Sequence, residues 1–382
     1  MPEYLTLDDV DVNGLDVLVR SDLNVPIEDG VITDDFRIRA ALPTLERLVD
    51  SGARVSVCSH LGRPDGTDPA FSLRLVADAM ESITSKEVGF LEGGQITVLE
   101  NTRFEAGETK NDPALAARLA DDFDLFVQDA FGSVHRAHAS TVGVAELVKS
   151  VAGPLLDDEL TALSRFLVKP EVPYIVVLGG AKVSDKLAVI ENLLPRVDAL
   201  LIGGGMCFTL LKAKGVEVGT SMVEEEMVDK VKGLVEGFHS EKIILPSDVV
   251  VADGFAETAE HKEVYVKDIP VGWMGLDIGR ETKQLFAAVI RTAETVFWNG
   301  PMGVFEWEPF RAGTEAVARG IAEATAFTAV GGGDSVAALR MMGLESEVSH
   351  VSTGGGAGLE LLEGKELPGV AVLGRWAGGP DA

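Results

Sequence analysis

The stretch Tyr174-Ile175-Val176-Val177-Leu178-Gly179-Gly180-Ala181-Lys182 decides the fold class. A continuous apolar run stops at a glycine pair, as expected of a strand buried on both faces. The same layout recurs on either side of it. Working outward, strands are expected at Asp16–Arg20, Arg54–Ser59, Ile96–Leu99, Leu125–Gln128, Ala199–Ile202, Lys242–Leu245, Thr295–Trp298 and Phe327–Val330. Helix-like stretches separate them, among them Pro43–Ser51, with Gly52 just past its end, and Ser335–Met342. Strands alternating with helices argue for βαβ units, a mostly parallel sheet and an α/β protein.

In such sheets ligands bind beyond the carboxyl ends of the strands, so the residues directly after each strand matter most. After the early strands come Ser21-Asp22-Leu23-Asn24-Val25-Pro26, His60-Leu61-Gly62-Arg63-Pro64, Glu100-Asn101-Thr102-Arg103-Phe104 and Asp129-Ala130-Phe131-Gly132. After the later ones come Gly179-Gly180-Ala181-Lys182, Gly203-Gly204-Gly205, Asn299-Gly300-Pro301 and Gly331-Gly332-Gly333-Asp334. Arginine and histidine populate the first set and glycine the second. That contrast implies one lobe for a small anion and one for a nucleotide. Between Gly153 and Pro173, the residues Leu155, Leu156, Leu160, Leu163, Phe166 and Leu167 fall near helical spacing, and Pro170 and Pro173 punctuate the chain before the next strand. They read as one helix connecting the lobes.

Composition narrows the function. The 382 residues suffice for two domains. With 33 Lys and Arg against 61 Asp and Glu, the net charge of −28 keeps molecules apart in solution. A charge of that size also suits the cytoplasm of a halophile, where salt screens self-repulsion. It argues against nucleic acid and anionic membranes as partners, since both need a basic face. No apolar run is long enough to span a bilayer, and Met1-Pro2-Glu3-Tyr4 lacks the layout of a secretory leader, so a cytoplasmic protein is expected. Cys58 and Cys207 form no CxxC pattern and read as buried thiols.

Against so acidic a background the arginines look placed. Arg20, Arg37, Arg39, Arg63, Arg103 and Arg136 lie in or beside the early loops, accompanied by His60, His135 and His138. Arginine grips carboxylate and phosphate bidentately. Taken singly, each is as readily a solvated surface charge; gathered at equivalent positions, they read as an anion site. His135 and His138 read equally well as satisfied core residues. Asp22 and Asn24 are either acceptors for a ligand hydroxyl or an Asx turn ahead of Pro26. The glycine turns at 179–180, 203–205, 331–333 and 354–356 either let backbone N–H groups approach phosphates or serve tight strand-to-helix turns. Neither GxxxxGK[ST] nor GxGxxG occurs, which excludes a P-loop and weakens a dinucleotide reading. Lys182 and Lys186, four apart at a helix start, could face one phosphate chain. Asp334 reads as a reach to Mg²⁺ on nucleotide phosphates or as the N-cap of the Ser335–Met342 helix, roles that can coexist.

Eight segments, in order, resemble the phosphoglycerate kinase family. They are Arg20–Pro26, Ser59–Pro64, Leu99–Phe104, Asp129–His138, Gly179–Lys186, Trp298–Glu306, Gly331–Ser335 and Ser352–Ala357. The resemblance implies two Rossmann-like lobes with parallel sheets, joined by a helix across a cleft. Residues 1–152 would form the 3-phosphoglycerate lobe, 153–173 the connecting helix and linker, 174–356 the nucleotide lobe, and 357–382 a segment returning to the first lobe. It implies a monomer that moves a phosphoryl group reversibly between 1,3-bisphosphoglycerate and Mg-ADP, giving 3-phosphoglycerate and ATP in glycolysis. Substrate would be held by Asp22, Leu23, Asn24, Arg37, His60, Leu61, Gly62, Arg63, Arg103 and Arg136. Nucleotide would meet Lys186, Glu306 at the ribose, Gly332, Gly333, Asp334 beside Mg²⁺, and Ser335. Arg37, Lys182 and Lys186 are assigned to the transferring phosphoryl group. Two departures stand out: Asp157-Asp158-Glu159 replaces the family's frequent basic residues at the connecting helix, and Leu373–Ala382 matches poorly.

Two other readings remain open on residues alone. A nicotinamide-dependent dehydrogenase would need an acidic ribose contact about twenty residues past its glycines; Glu217 follows the 203–205 glycines, but their spacing is wrong. A non-enzymatic scaffold is disfavoured by the retained Arg37, Lys182, Lys186 and Asp334.

Overall fold

The computed structural model describes residues 3–376. Contacts divide the chain into two compact units, Met1–Thr161 rejoined from Glu366 onward, and Ala162–Lys365. In the first unit a seven-stranded sheet runs in the order Glu92–Gly94, Val88–Phe90, Ile96–Val98, Arg54–Cys58, Asp16–Arg20, Leu125–Gln128, Ser150–Ala152. Its pairings are parallel except between Val88–Phe90 and Glu92–Gly94. Successive side chains point to opposite faces. Val17, Val19, Val55, Val57, Leu125 and Val127 pack under helices through Ile38, Leu45, Leu48 and Met80. Leu18, Cys58 and Phe126 face the other side, against Val144 and Ala145. Apolar demand on both faces explains the continuous apolar runs.

The second unit repeats the plan. Its six-stranded parallel sheet has the order Ile243–Ile244, Ala199–Ile202, Tyr174–Leu178, Thr295–Asn299, Phe327–Gly331, His350–Val351. Ile175, Val177, Leu201, Val296, Trp298 and Val330 pack against Phe286, Ile290, Val317 and Leu339. A three-stranded antiparallel sheet, His261–Tyr265, Asp248–Ala252 and Met274–Ile278, adds to this unit and was not expected from the sequence. Cys58 and Cys207 are buried free thiols, as expected.

Register places the site. Arg20 pairs with Cys58 and Gln128, so the loops after all three strands leave the same edge. Leu178 pairs with Ile202 and Asn299, and Asn299 with Gly331, with the same result in the second unit.

Several boundaries differ from expectation, each for a physical reason. The helix expected from Pro43 starts at Phe36 and ends at Asp50. Pro43 lies inside it because burial of Ile38, Ala41, Leu42, Leu45 and Leu48 continues one apolar stripe through the proline and outweighs the lost backbone bond. Arg37 is therefore a first-turn helix residue, not a loop residue. The helix expected from Ser335 begins at Gly333, so Asp334 sits inside its first turn while Gly332, at φ +91°, takes the N-cap place. The connecting helix spans Pro154–Leu167 and buries Leu156, Leu160, Leu163 and Phe166. Its acidic start is accommodated: negative charge suits a helix N-terminus, and Asp157 accepts from the hydroxyl of Tyr4, far away in sequence, at 2.9 Å. Residues from 357 were expected to return to the first unit. Instead helix Gly356–Leu362 stays in the second, where Asn192 donates to the Leu362 carbonyl at 2.7 Å. The return begins at Glu366: Gly369 N–H donates to Val134 O at 2.8 Å, Arg375 to Glu146 O at 3.0 Å, and Trp376 Nε1 to Ala145 O at 2.9 Å. The remainder of the poorly matching end, 377–382, lies outside the described residues.

Asp129, one residue past the Leu125–Gln128 strand, ties sheet to helix. Its Oδ1 accepts the N–H groups of Leu155 at 2.8 Å and Leu156 at 3.3 Å, capping the connecting helix from a distance in sequence. Burial pushes its carboxyl up to about 6. A folded-state value above the unfolded one means stability that is present below about pH 4 and is lost as pH rises through 6. Asp129→Asn keeps an acceptor oxygen but cannot ionise. In urea denaturation at pH 4.5 and pH 7, the stability difference between variant and wild type should move in the variant's favour by roughly 2 kcal/mol. Identical pH dependence in the two proteins would remove Asp129 from that role.

Candidate functional site

In the first unit the early loops are stitched together by side chains. Arg37 Nη1 donates to Asp22 Oδ1 at 2.6 Å, and Asn24 N–H reaches the same oxygen at 3.3 Å, so Asp22 closes an Asx turn while fixing Arg37. Asn24 Oδ1 accepts Gly62 N–H at 2.8 Å, and Gly62 O accepts from Arg103 Nη1. Gly62 has φ +61°, and a Cβ there would lie 2.3 Å from the Phe71 ring, so a side chain at this position would be strained and would have to displace Phe71. Asn101 holds the next loop: its Oδ1 accepts Leu61 N–H at 3.1 Å and Arg103 N–H at 3.0 Å, and its Nδ2 donates to Leu61 O at 2.8 Å. Leu23 and Leu61 are buried, and the Leu23 N–H is taken by Ser59 Oγ at 2.9 Å. The structure places both leucines behind the site, where they shape its loops.

Arg63, Arg103 and Arg136 line one cavity of about 370 Å³, together with Phe104, Thr109 and the acidic Asp65 and Glu105. Glu105 is engaged by Arg118 at 2.8 Å. Arg103 is held below its ordinary value, first by burial, then by the neighbouring Arg136, Arg20 and Arg63. Its Nε is buried without a hydrogen-bond partner among the described residues. A buried donor on a cation among like charges is an unfinished arrangement that an anion completes. Asp22, Asn24, Arg37 and His60 form a second group beside this cavity, joined to it through Gly62. Burial, then Arg20, Arg103 and Arg37, push the His60 imidazole far below its ordinary range, so it is neutral. Its Nδ1 faces Arg20 Nη2, a donor, at 3.0 Å, which leaves the proton on Nε2. Arg39 belongs elsewhere: it pairs with Asp35 at 2.7 Å on the surface.

In the second unit Lys186 is buried and its Nζ donates to Gly179 O at 2.8 Å and Asn299 O at 2.9 Å, with Asn299 Oδ1 also in reach. Burial pushes it down to about 8, opposed by Asp334 and Asp185. Lys182 does not share this setting. The helix begins only at Leu187, so the two lysines are not neighbours on one helical face. Lys182 is exposed and close enough to Glu224 to favour that carboxylate. Glu224 also binds Ser184, accepting its N–H at 3.0 Å and its hydroxyl at 2.5 Å, and so pins the loop that carries Lys182.

The glycine turns separate into two kinds. A Cβ at Gly179 would meet Pro301 O at 2.1 Å, and one at Gly204 would meet Gly180 N at 2.5 Å. These glycines let strand-end loops pack backbone on backbone. Gly333 has open space around it. The first bond of its helix is Val336 N–H to Gly332 O at 3.1 Å, so the N–H groups of Gly333, Asp334 and Ser335 belong to the unpaired first turn. Ser335's side chain is spent internally, its Oγ accepting Gly300 N–H at 2.6 Å. Asp334 and Glu306 are exposed. Among the described residues no three acidic, histidine or cysteine side chains gather as a metal cage.

Sequence reasoning passed over Asn101, Asn299, Glu224 and the buried Glu108. Asn101 and Asn299 lie inside quoted segments directly after strands, where they could have been singled out. Nothing local marks Glu108 or Glu224, whose roles depend on distant partners.

The phosphoglycerate kinase family model matches residues 7–365. The phosphoglycerate kinase of Rubrobacter xylanophilus is 55% identical, covering 96% of this chain and 97% of that protein. That of Deinococcus radiodurans is 51% identical over 96% and 94%. The solved phosphoglycerate kinase structure from Coxiella burnetii superposes with TM-score 0.91 at 42% identity, covering 98% of this chain and all of that one. An arginine-lined cavity in one unit, an open helix N-terminus in the other and near full-length similarity lead to one conclusion: the chain belongs to the phosphoglycerate kinase family.

Proposed function

We propose that this phosphotransferase holds 3-phosphoglycerate or 1,3-bisphosphoglycerate on its first unit and ADP or ATP on its second. The observation that carries the substrate half is the cavity lined by Arg63, Arg103 and Arg136, with the buried, unpartnered Nε of Arg103. Three guanidiniums suit a phosphate dianion. The adjoining Arg37, Asp22, Asn24 and neutral His60 suit the rest of a hydroxy acid: Arg37 the carboxyl, His60 Nε2–H and Asp22 the polar groups between.

On the second unit the first turn of the Gly333–Met341 helix offers N–H donors to nucleotide phosphates. The exposed Glu306 is assigned to the ribose. Mg²⁺ bound with nucleotide phosphates usually takes only one or two protein carboxylates, and the single exposed Asp334 beside open backbone fits that need. The metal supplies charge compensation to the phosphate chain. Asp334 is the residue that would hold it.

The transfer needs no general base, because the attacking oxygen is already ionised as a carboxylate or an ADP phosphate. The residues' work is positioning and charge stabilisation. Arg37 and Lys182 meet the moving phosphoryl group. Lys186, anchored to Gly179 and Asn299, keeps a positive charge at the foot of the same loop. The enzyme is proposed to act as a monomer in a cytoplasm of high ionic strength, the reading that the charge of −28 supports.

Three outcomes test this. Arg37→Ala should lower kcat about a hundredfold or more while leaving the KM for MgATP near wild type; near-normal turnover excludes Arg37. Asp334→Ala should weaken Mg-nucleotide binding, read by calorimetry, and leave 3-phosphoglycerate binding intact; equal loss of both contradicts the division of labour. A coupled assay with ATP, Mg²⁺ and 3-phosphoglycerate across a KCl series should show activity maintained or rising toward molar salt, whereas steady decline from low salt contradicts the halophilic reading.

A further inference from the structure

Arg20 is fully buried at the end of its strand, yet among the described residues every hydrogen bond its side chain makes goes to a neutral group. Its Nε donates to Ser140 Oγ at 3.0 Å, Nη1 to Ser21 O and at 3.5 Å to Ser59 Oγ, and Nη2 to His60 Nδ1 at 3.0 Å. A buried guanidinium without a countercharge is costly. One serine away sits Glu108, whose side chain is also fully buried. Its Oε1 accepts the Ser140 hydroxyl at 2.6 Å and the Thr102 hydroxyl at 3.2 Å, and its Oε2 accepts Ser140 N–H at 3.0 Å. His138 Nδ1 lies 3.8 Å away. Ser140 stands in a π-helical turn, Ala139–Gly143, that aims both its N–H and its hydroxyl at this one carboxylate. The hydroxyl hydrogen is given to Glu108, so the oxygen's lone pair is turned to Arg20.

We propose that Glu108 is a positioning residue for the substrate acid, acting through Ser140 and Arg20 to fix the imidazole of His60. The relay runs in one direction. Glu108 orients the Ser140 hydroxyl, the hydroxyl holds Arg20 Nε, and Arg20 Nη2 occupies His60 Nδ1. His60 is thereby left with its N–H on Nε2 and with one ring orientation. Glu108 touches neither substrate. It also supplies negative charge near the arginine set without occupying any arginine directly, so among the described residues Arg63, Arg103 and Arg136 stay out of ion pairs, although Arg136 Nε donates to His135 Nε2 at 3.0 Å and Arg103 Nη1 to Gly62 O.

The sign of the effect separates this from simple electrostatics. Glu108→Gln removes a negative charge from beside an anion site, which by Coulomb attraction alone should tighten substrate binding. Its amide keeps one acceptor oxygen for the two Ser140 donors, N–H and hydroxyl, that Glu108 now accepts, so the relay is loosened and binding should weaken. Ser140→Ala cuts the relay but keeps the charge. The inference rests on the reading that His60 binds the substrate acid, so His60→Ala is measured alongside.

Steady-state kinetics with 3-phosphoglycerate and MgATP should show the KM for 3-phosphoglycerate raised about tenfold in Ser140→Ala and in Glu108→Gln, with the KM for MgATP unchanged. The ¹⁵N spectrum of His60 should change from a single Nε2-protonated tautomer to a tautomer mixture in Ser140→Ala. If His60→Ala raises that KM but folded Ser140→Ala does not, the relay is refuted and the substrate reading survives. If His60→Ala leaves it unchanged, the substrate reading of His60 fails first. Should Glu108→Gln not fold, Ser140→Ala decides alone. A lowered KM in Glu108→Gln assigns Glu108 a Coulombic role only and overturns the proposal.

Discussion

Parallel pairing in register forces strand ends to a common edge, and in this protein the candidate chemistry hangs from two such edges. Arg20, Cys58 and Gln128 end level with one another, as do Leu178, Ile202, Asn299 and Gly331. The loops beyond each edge must share one small space. Their backbone groups cannot be satisfied by sheet bonds there, so side chains from neighbouring loops take over: Asn24 for Gly62, Asn101 for Leu61, Ser335 for Gly300. A buried polar group without a partner costs more than the average bond contributes. This mutual stitching is the consequence of that cost.

The first unit solves a harder problem, since it must gather positive charge before any ligand arrives. It does so by keeping acids one step away from the arginines that line the cavity, while Arg37 beside it is paired directly. Asp22 takes Arg37, Glu105 goes to Arg118, and Glu108 reaches Arg20 only through Ser140. Arg103 is left with an unpaired buried donor. In a chain with 61 acidic residues that restraint is informative. Direct pairing of every cavity arginine would have been easy and would have blocked the site.

The loops of the second unit are legible only in part. Glycine after a strand has two uses, close backbone packing and phosphate approach, and the sequence does not separate them. At Gly179 and Gly204 the missing Cβ makes room for another backbone; at Gly333 the space is open. The lysine pair misled for a related reason. Spacing of four implies a shared helical face only if the helix has begun, and the chain runs through bends and turns until the helix starts at Leu187. Pro43 misled in the opposite sense, because an apolar stripe overrode a local breaker. The antiparallel sheet around Asp248–Ala252 went unread because its partner His261–Tyr265 is mostly exposed and carries no apolar pattern.

By itself the sequence determined the α/β class, the strands at each sheet's centre, the contrast between an arginine-bearing and a glycine-bearing set of loops, and the family. These rest on local signals: periodicity, apolar runs ending in turns, and long ordered segments. Tertiary structure alone decided which arginine stays open, that Lys186 is caged while Lys182 is exposed, that Asp334 lies within a helix's first turn, and that Glu108 stands behind Ser140. Each depends on the position of a partner distant in the chain, such as Ser140 for Arg20 or Asn299 for Lys186. Hydrogen bonds and burial are properties of proximity, and spacing along a sequence does not encode that proximity until the strands have paired.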